Sequence, residues 1–348
     1  MMSRTNDVYI LAAKQISVQP PLSDEWMEAP LRYGEQPYVR AVDPDYKQHF
    51  APNEARRLGK ILKRALLTSR QAMTASGIAK PDAVVTATGL GCIDNTELFL
   101  DALVREGEAL LKPSYFMQST HNSVSSLIAI DARCHGYNST YAHNGTSFEC
   151  ALEDTFMQLS RGQIQTALVG AHDEMTPGYF ALLSRIGYLG HAPGGFSGEV
   201  ALSMMLAAKP QERSLCRLRG VEMEYHPTGE ALRQALRRLL QGAQCRMEEV
   251  DAVMVGLSGQ PSNDDAYASI CPELFPHKQL LRYKHLFGES YTAPGLGVYA
   301  AAVCLHRQRI PAHLFVDCES GEQRGVRHIL FYNHFEEKNH SLILLSAC

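Results

Sequence analysis

Residues 82–91 read DAVVTATGLG, and residues 251–259 read DAVMVGLSG. Each begins Asp-Ala-Val, continues as a short apolar run and ends in glycine. An unbroken apolar run of this length fits a strand buried on both faces, because alternation disappears when neither face meets water. A basic amphipathic helical pattern precedes each run, NEARRLGKILKRALLTSRQAMTASGIAKP (53–81) in one case and TGEALRQALRRLLQGAQCRMEEV (228–250) in the other. Leu58, Ile61, Leu62 and Ala65 recur at helical spacing in the first. A second parallel lies downstream. ALVGAHDEMTP (167–177) and GEVALSMMLAA (198–208) read as neighbouring central strands, and HILFYNHFEEKNHSLILLSAC (328–348) reads as their counterpart, two strands joined by a loop. Two matching units in the same order predict an internally duplicated α/β protein with halves 1–210 and 211–348.

Composition narrows the function. At 348 residues the chain can bury one large core or two fused ones, and 45% hydrophobic with 20% charged residues is a globular balance. A net charge of −4 gives no reason to expect nucleic acid or an anionic membrane as partner. No apolar run reaches the roughly 18–20 residues of a membrane span. MMSRTNDVYILAAKQ reads as a first strand, not a signal peptide. Nine cysteines without CxxC pairs predict reduced thiols in a cytoplasmic protein. The 14 histidines lack metal-ligand spacing, so neither metal nor cofactor is expected. The stretches 18–50 and 187–198 read as loops, with Gly194-Gly195 a turn before a buried strand.

Residues 140–159, TYAHNGTSFECALEDTFMQL, predict a strand, a sharp turn and an amphipathic helix. Enzymes place nucleophiles at such turns because helix amides favour developing negative charge. Here the turn offers Gly145, with His143, Asn144, Thr146 and Ser147 around it.

The chain resembles the β-ketoacyl synthases of the thiolase fold. The likeness runs in family order through SYFMQSTHNSVSSLIAIDARCHGYNSTY (114–141), RGQIQTALVGAHDE (161–174), GFSGEVALSMMLAA (195–208), YKHLFGESYTAPGLGVYAAAV (283–303) and NHFEEKNHSLILL (333–345). It implies a five-layered αβαβα fold with two duplicated halves. It also implies a site with a cysteine at a helix start, two histidines that stabilise an enolate, and a supporting lysine.

Several of these positions have changed. Counting back from Gly162 at the family's spacing puts the cysteine on Gly145. In the loop Gly256–Asp264, the first histidine falls on Gly256. In the Lys-x-x-x-Gly-His segment, Lys284 and Gly288 remain and Glu289 replaces the second histidine. The family's mobile glycine-rich loop becomes Phe335-Glu336-Glu337-Lys338-Asn339, without glycine. Several expectations follow. Lys284 and Glu289 pair in an emptied site. Gly145 leaves a roomy elbow. Thr146 and Ser147 cap the helix. His143, Asn144, Thr146 and Phe335 are candidates for lining a substrate tunnel. The resemblance implies a non-catalytic, chain-length-factor-type subunit of fatty-acid, polyketide or aryl-polyene synthesis. It would form a heterodimer with an active ketosynthase, or a homodimer with itself, and act on chains held by acyl carrier protein, with segment 160–175 near the interface. The alternative is a divergent condensing enzyme or acyltransferase whose nucleophile has moved to Cys150, Ser147 or His143.

Overall fold

The computed structural model describes residues 7–34, 36–108, 111–187, 195–317 and 321–348. Gly194 of the expected Gly194-Gly195 turn lies outside them. Ten strands form one sheet. They are β1 (Val8–Ile16), β2 (Ala83–Ala87), β3 (Tyr137–Tyr141), β4 (Thr166–Asp173), β5 (Val200–Ala207), β6 (Cys216–Tyr225), β7 (Ala252–Val255), β8 (Gln279–Arg282), β9 (His328–Phe335) and β10 (Asn339–Ser346). Their order is β8-β7-β9-β10-β6-β1-β5-β4-β2-β3. Going outward from the β1–β6 junction, the first half runs 1-5-4-2-3 and the second 6-10-9-7-8. Both halves share one pattern of directions. β2 is parallel to β3 and β4, and β5 is antiparallel to β4 and β1. Likewise β7 is parallel to β8 and β9, and β10 is antiparallel to β9 and β6.

The repeat reaches side chains. The Asp82 carboxylate accepts the Gln165 and Thr166 amides where β4 begins. The Asp251 carboxylate accepts the Arg327 and His328 amides where β9 begins. The Asp-Ala-Val signature therefore marks the same tie in each half, a carboxylate holding the start of the neighbouring parallel strand.

Among the described helices are α1 (Lys60–Ser76), α2 (Ile93–Glu106), α3 (Ser123–Asp131), α4 (Ser147–Ser160), α5 (Gly229–Gly242), α6 (Pro261–Leu274) and α7 (Ala293–Arg307). Alternation along the strands sorts them. Leu202, Met204 and Leu206 of β5 face a central core with α4 and α7, while Ala201, Met205 and Ala207 face an outer core with α1 and α3. In the second half Ile329 and Phe331 face the central core, and Leu330 and Tyr332 face α5 and α6. Within the sheet, the described strands of the two halves pair through three residue pairs, Val8–Ile10 against Leu218–Cys216. The sheet can fold there around α4 and α7, which gives five layers.

Two details differ from the sequence reading. The helical pattern from residue 53 is broken at Gly59, whose extended backbone starts α1, so Leu58 packs against the same core from outside the helix. β4 is interior, between β5 and β2, so most of segment 160–175 cannot be the sheet edge. That edge is β3. Among the described residues no helix is long and apolar enough to cross a membrane, and no group of three or more His, Cys, Asp or Glu could hold a metal ion.

Candidate functional site

The carboxyl ends of the parallel strands from both halves converge on one cavity of about 350 Å³. Open α/β sheets place ligands at that end. β2 delivers Leu90, β4 delivers Asp173, β7 leads to Ser258, β8 to Lys284 and Glu289, and β9 ends in Asn333, His334 and Phe335. Asp173 binds these loops together. One of its oxygens accepts from the Thr88 hydroxyl and the Gly89 and Leu90 amides, and the other from the amide and hydroxyl of Thr292.

The elbow between β3 and α4 sits at the cavity wall, but it is not roomy. Gly145 is buried, and a Cβ on it would collide with the Phe335 ring, lying 2.6 Å from Cγ and 2.7 Å from Cε2. The ring occupies the volume that a nucleophile's side chain would need. The hydroxyls beside it brace the turn and do not cap α4. Thr146 Oγ1 donates to His143 O at 3.0 Å, and Ser147 Oγ lies 2.7 Å from Asn144 O while accepting the His143 amide. No side-chain cap bond forms at the helix start.

Position 256 is filled in the same way. A Cβ on Gly256 would overlap Asn333 Oδ1, lie 2.5 Å from the Tyr267 hydroxyl and 3.3 Å from Lys284 Nζ. Tyr267 donates to Asn333 Oδ1 at 3.0 Å, and Asn333 Nδ2 donates to Glu149 Oε1 at 2.8 Å. Ser341 donates to that same oxygen. Glu149 is fully buried and its Oε2 has no hydrogen-bond partner. Burial pushes its carboxyl up to about 7, although bonds from its own amide, Asn333 and Ser341 and the Lys284 charge oppose the rise. The expected Lys284–Glu289 pair forms at 2.7 Å with Lys284 buried. Each carboxylate or cation that could have served an enolate is thus committed to a neighbour.

Of the residues expected at the site, Gly145, Lys284, Glu289 and Phe335 line the cavity, and a Cβ at Gly256 would point toward Lys284. His143, Asn144 and Thr146 do not line it. His334 does, and burial lowers its pKa to about 4, so the ring is neutral near pH 7. The relocated-nucleophile candidates fare poorly. Ser147 is fully buried in the turn. Cys150 lies outside the cavity lining, 3.6 Å from His143 Nδ1, and burial with Glu149 and Glu153 nearby pushes its thiol up to about 11. It is a thiol at neutral pH, not a nucleophilic thiolate. Sequence reading missed Glu149, Asn333 and Tyr267. Glu149 carried a usable signal, standing three residues before Leu152 and seven before Phe156 on the buried stripe of α4.

Residues 27–196 match the β-ketoacyl synthase N-terminal domain. No curated protein matches the chain in sequence. Similar solved structures include the ishigamide ketosynthase/chain length factor, with 18% identity and a TM-score of 0.83 over 99% of this chain and 100% of the other. A β-ketoacyl synthase from Burkholderia phymatum STM815 superposes at 12% identity and TM-score 0.80, again over 99% and 100%. A type II polyketide synthase acyl-carrier protein in complex with its ketosynthase bound to the hexaketide gives 15% and 0.77 over the same shares. The match places a β-ketoacyl synthase N-terminal domain over residues 27–196, and the structural likenesses extend the thiolase-like ketosynthase fold over the whole chain.

Proposed function

We propose that the chain is a non-condensing ketosynthase-fold subunit, with halves 1–210 and 211–348, that pairs with an active ketosynthase in the manner of a chain length factor. It would work on chains carried by acyl carrier protein in polyketide, aryl-polyene or fatty-acid synthesis. The carrying observation is that all three reactive positions are occupied by something else. The Phe335 ring lies over Gly145, Asn333 and Tyr267 fill the space at Gly256, and Glu289 is paired to Lys284. A merely vacant site could be restored by one substitution; this one has been repacked. The solved relatives that include a ketosynthase/chain length factor and a carrier-protein complex support the choice of class.

The surface supports a partner. β3 is an open sheet edge, YNSTY, with no second neighbour among the described strands. Of 12 exposed large hydrophobic residues described, Tyr137 lies on this strand and Ile130 and Met157 lie on α3 and α4, the helices packed against it. Ile130 is 76% exposed. Apolar exposure beside an unpaired edge fits a subunit interface. Co-expression with an active ketosynthase from the same genome is expected to yield a 1:1 complex. The I130E/M157E variant is expected to remain folded and lose the partner. Failure of the native chain to co-purify, or its recovery as a homodimer alone, would overturn the heterodimer reading.

A further inference from the structure

The geometry points to Phe335 and Tyr291 as a paired aromatic plug, carried by the second half of the chain and seated on two glycines of the first, that ends the cavity at the elbow. This deepens the reading of a non-condensing subunit and rests on it for the cavity's meaning. The packing itself does not depend on that reading. Tyr291 and Phe335 both line the cavity and meet edge to face, with centroids 6.2 Å apart and planes at 65°. Phe335 lies over Gly145, after β3. Tyr291 lies over Gly89, after β2, where a Cβ would overlap Tyr291 Cβ and Cγ and sit 2.7 Å from Cδ2. Each ring therefore takes the volume that any side chain at its glycine would need.

Both rings have little room to retreat. Phe335 ends a strand in continuous register with β10, up to its pairing with Asn339, and the Lys338 amide closes the following turn on Phe335 O. Tyr291 directly precedes Thr292, whose amide and hydroxyl are fixed on the buried Asp173 carboxylate, and that carboxylate also holds the Gly89 amide. Asp173 thereby sets the distance between Tyr291 and the glycine beneath it. The consequence is that a ligand in the cavity meets two rings, not the two glycines beneath them. It also follows that glycine at 145 is enforced by packing, so a nucleophile cannot be restored at that position alone.

A double-mutant cycle on the isolated full-length chain tests this. Gly145→Ala is expected to lower the melting temperature by about 3 °C or more, as overpacking in a domain of this size does. Phe335→Ala lowers it through lost packing. The double variant is expected to melt no lower than Phe335→Ala alone, because the added methyl then has space. A chemical arm reads the same geometry. In the Gly145→Cys/Phe335→Ala variant, the introduced thiolate displaces iodide from iodoacetamide to form a thioether, which peptide mass spectrometry separates from any adduct at Cys150. That alkylation is expected to be at least 10-fold faster than in Gly145→Cys alone. If Gly145→Cys does not fold, the alanine cycle still decides. Strictly additive melting losses, or equal alkylation of the introduced thiol in both backgrounds, would overturn the plug. Either result leaves the partner reading to its own co-purification test, which in turn does not bear on the packing.

Discussion

Glu149 is the residue whose chemistry is least at ease with its place. Its carboxyl is fully buried, one oxygen accepts from Asn333 and Ser341, and the other has no partner. With a folded pKa near 7 against an ordinary 4.5, the folded protein holds a proton that the unfolded chain releases between those values. Glu149's contribution to stability is therefore complete below about pH 4.5, declines as pH rises toward 7, and levels off above. Glutamine at 149 keeps the hydrogen-bond shape without the titration. Glu149→Gln is expected to be more stable than the native chain at pH 8, by on the order of 2–3 kcal/mol, and the gain should disappear by pH 4.5. Denaturant unfolding of both proteins at the two pH values checks it. Burial of His172, which lowers its pKa to about 3, and of His334 gives an opposite slope on the acid side, common to both proteins and cancelling in the difference. At this scale the sequence was legible where chemistry had been deleted. Gly145, Gly256 and Glu289 were visible as departures from a motif, and the Lys284–Glu289 pair followed from a glutamate standing at a histidine position beside the motif's lysine. What had moved in was not visible. Phe335 and Asn333 reach these positions from a strand almost 190 residues beyond the elbow, and nothing local announces that a ring will lie on a particular glycine.

Among the elements, the β9–β10 hairpin shows how a turn can persist after its glycines are gone. Glu336 and Glu337 have φ of 52° and 54°, both in the left-handed region. The segment has no glycine, yet the turn takes left-handed angles with glutamates. A left-handed non-glycine residue costs roughly 1–2 kcal/mol. Glu337→Gly is therefore expected to stabilise the protein by about 1 kcal/mol, read as a higher melting temperature. A melting temperature equal to or below the native value would mean that contacts of the Glu337 side chain offset its strain. The strand pairs were legible because buried runs and Asp-Ala-Val starts repeat, and Asp82 and Asp251 tie the same strand start in both halves. Alanine at either aspartate is expected to cost about 1–3 kcal/mol by leaving two strand-start amides without their acceptor, with similar losses at the two sites by thermal unfolding. The break at Gly59 and the interior position of β4 were harder to read, because helix boundaries and strand order depend on tertiary pairing rather than on periodicity.

On the scale of the whole molecule, duplication makes the fold robust while the site drifts. Each half is built from its buried strands and covering helices, held by apolar packing and by the Asp82 or Asp251 tie. The cavity lies where the carboxyl ends of both halves meet, so its residues can be exchanged without disturbing a layer. On the proposed reading, that is how such a scaffold holds glycines at 145 and 256 and a glutamate at 289 and remains intact. Under the proposed function, the open β3 edge and the exposed Ile130 and Met157 beside it are the surface through which the chain would act. Whether the chain has lost its own acyl chemistry is read most plainly by intact-protein mass spectrometry after incubation with acyl-loaded carrier protein. The native chain is expected to show no mass increase. A stoichiometric acyl adduct that maps to one residue and disappears when that residue is substituted would contradict a non-condensing subunit.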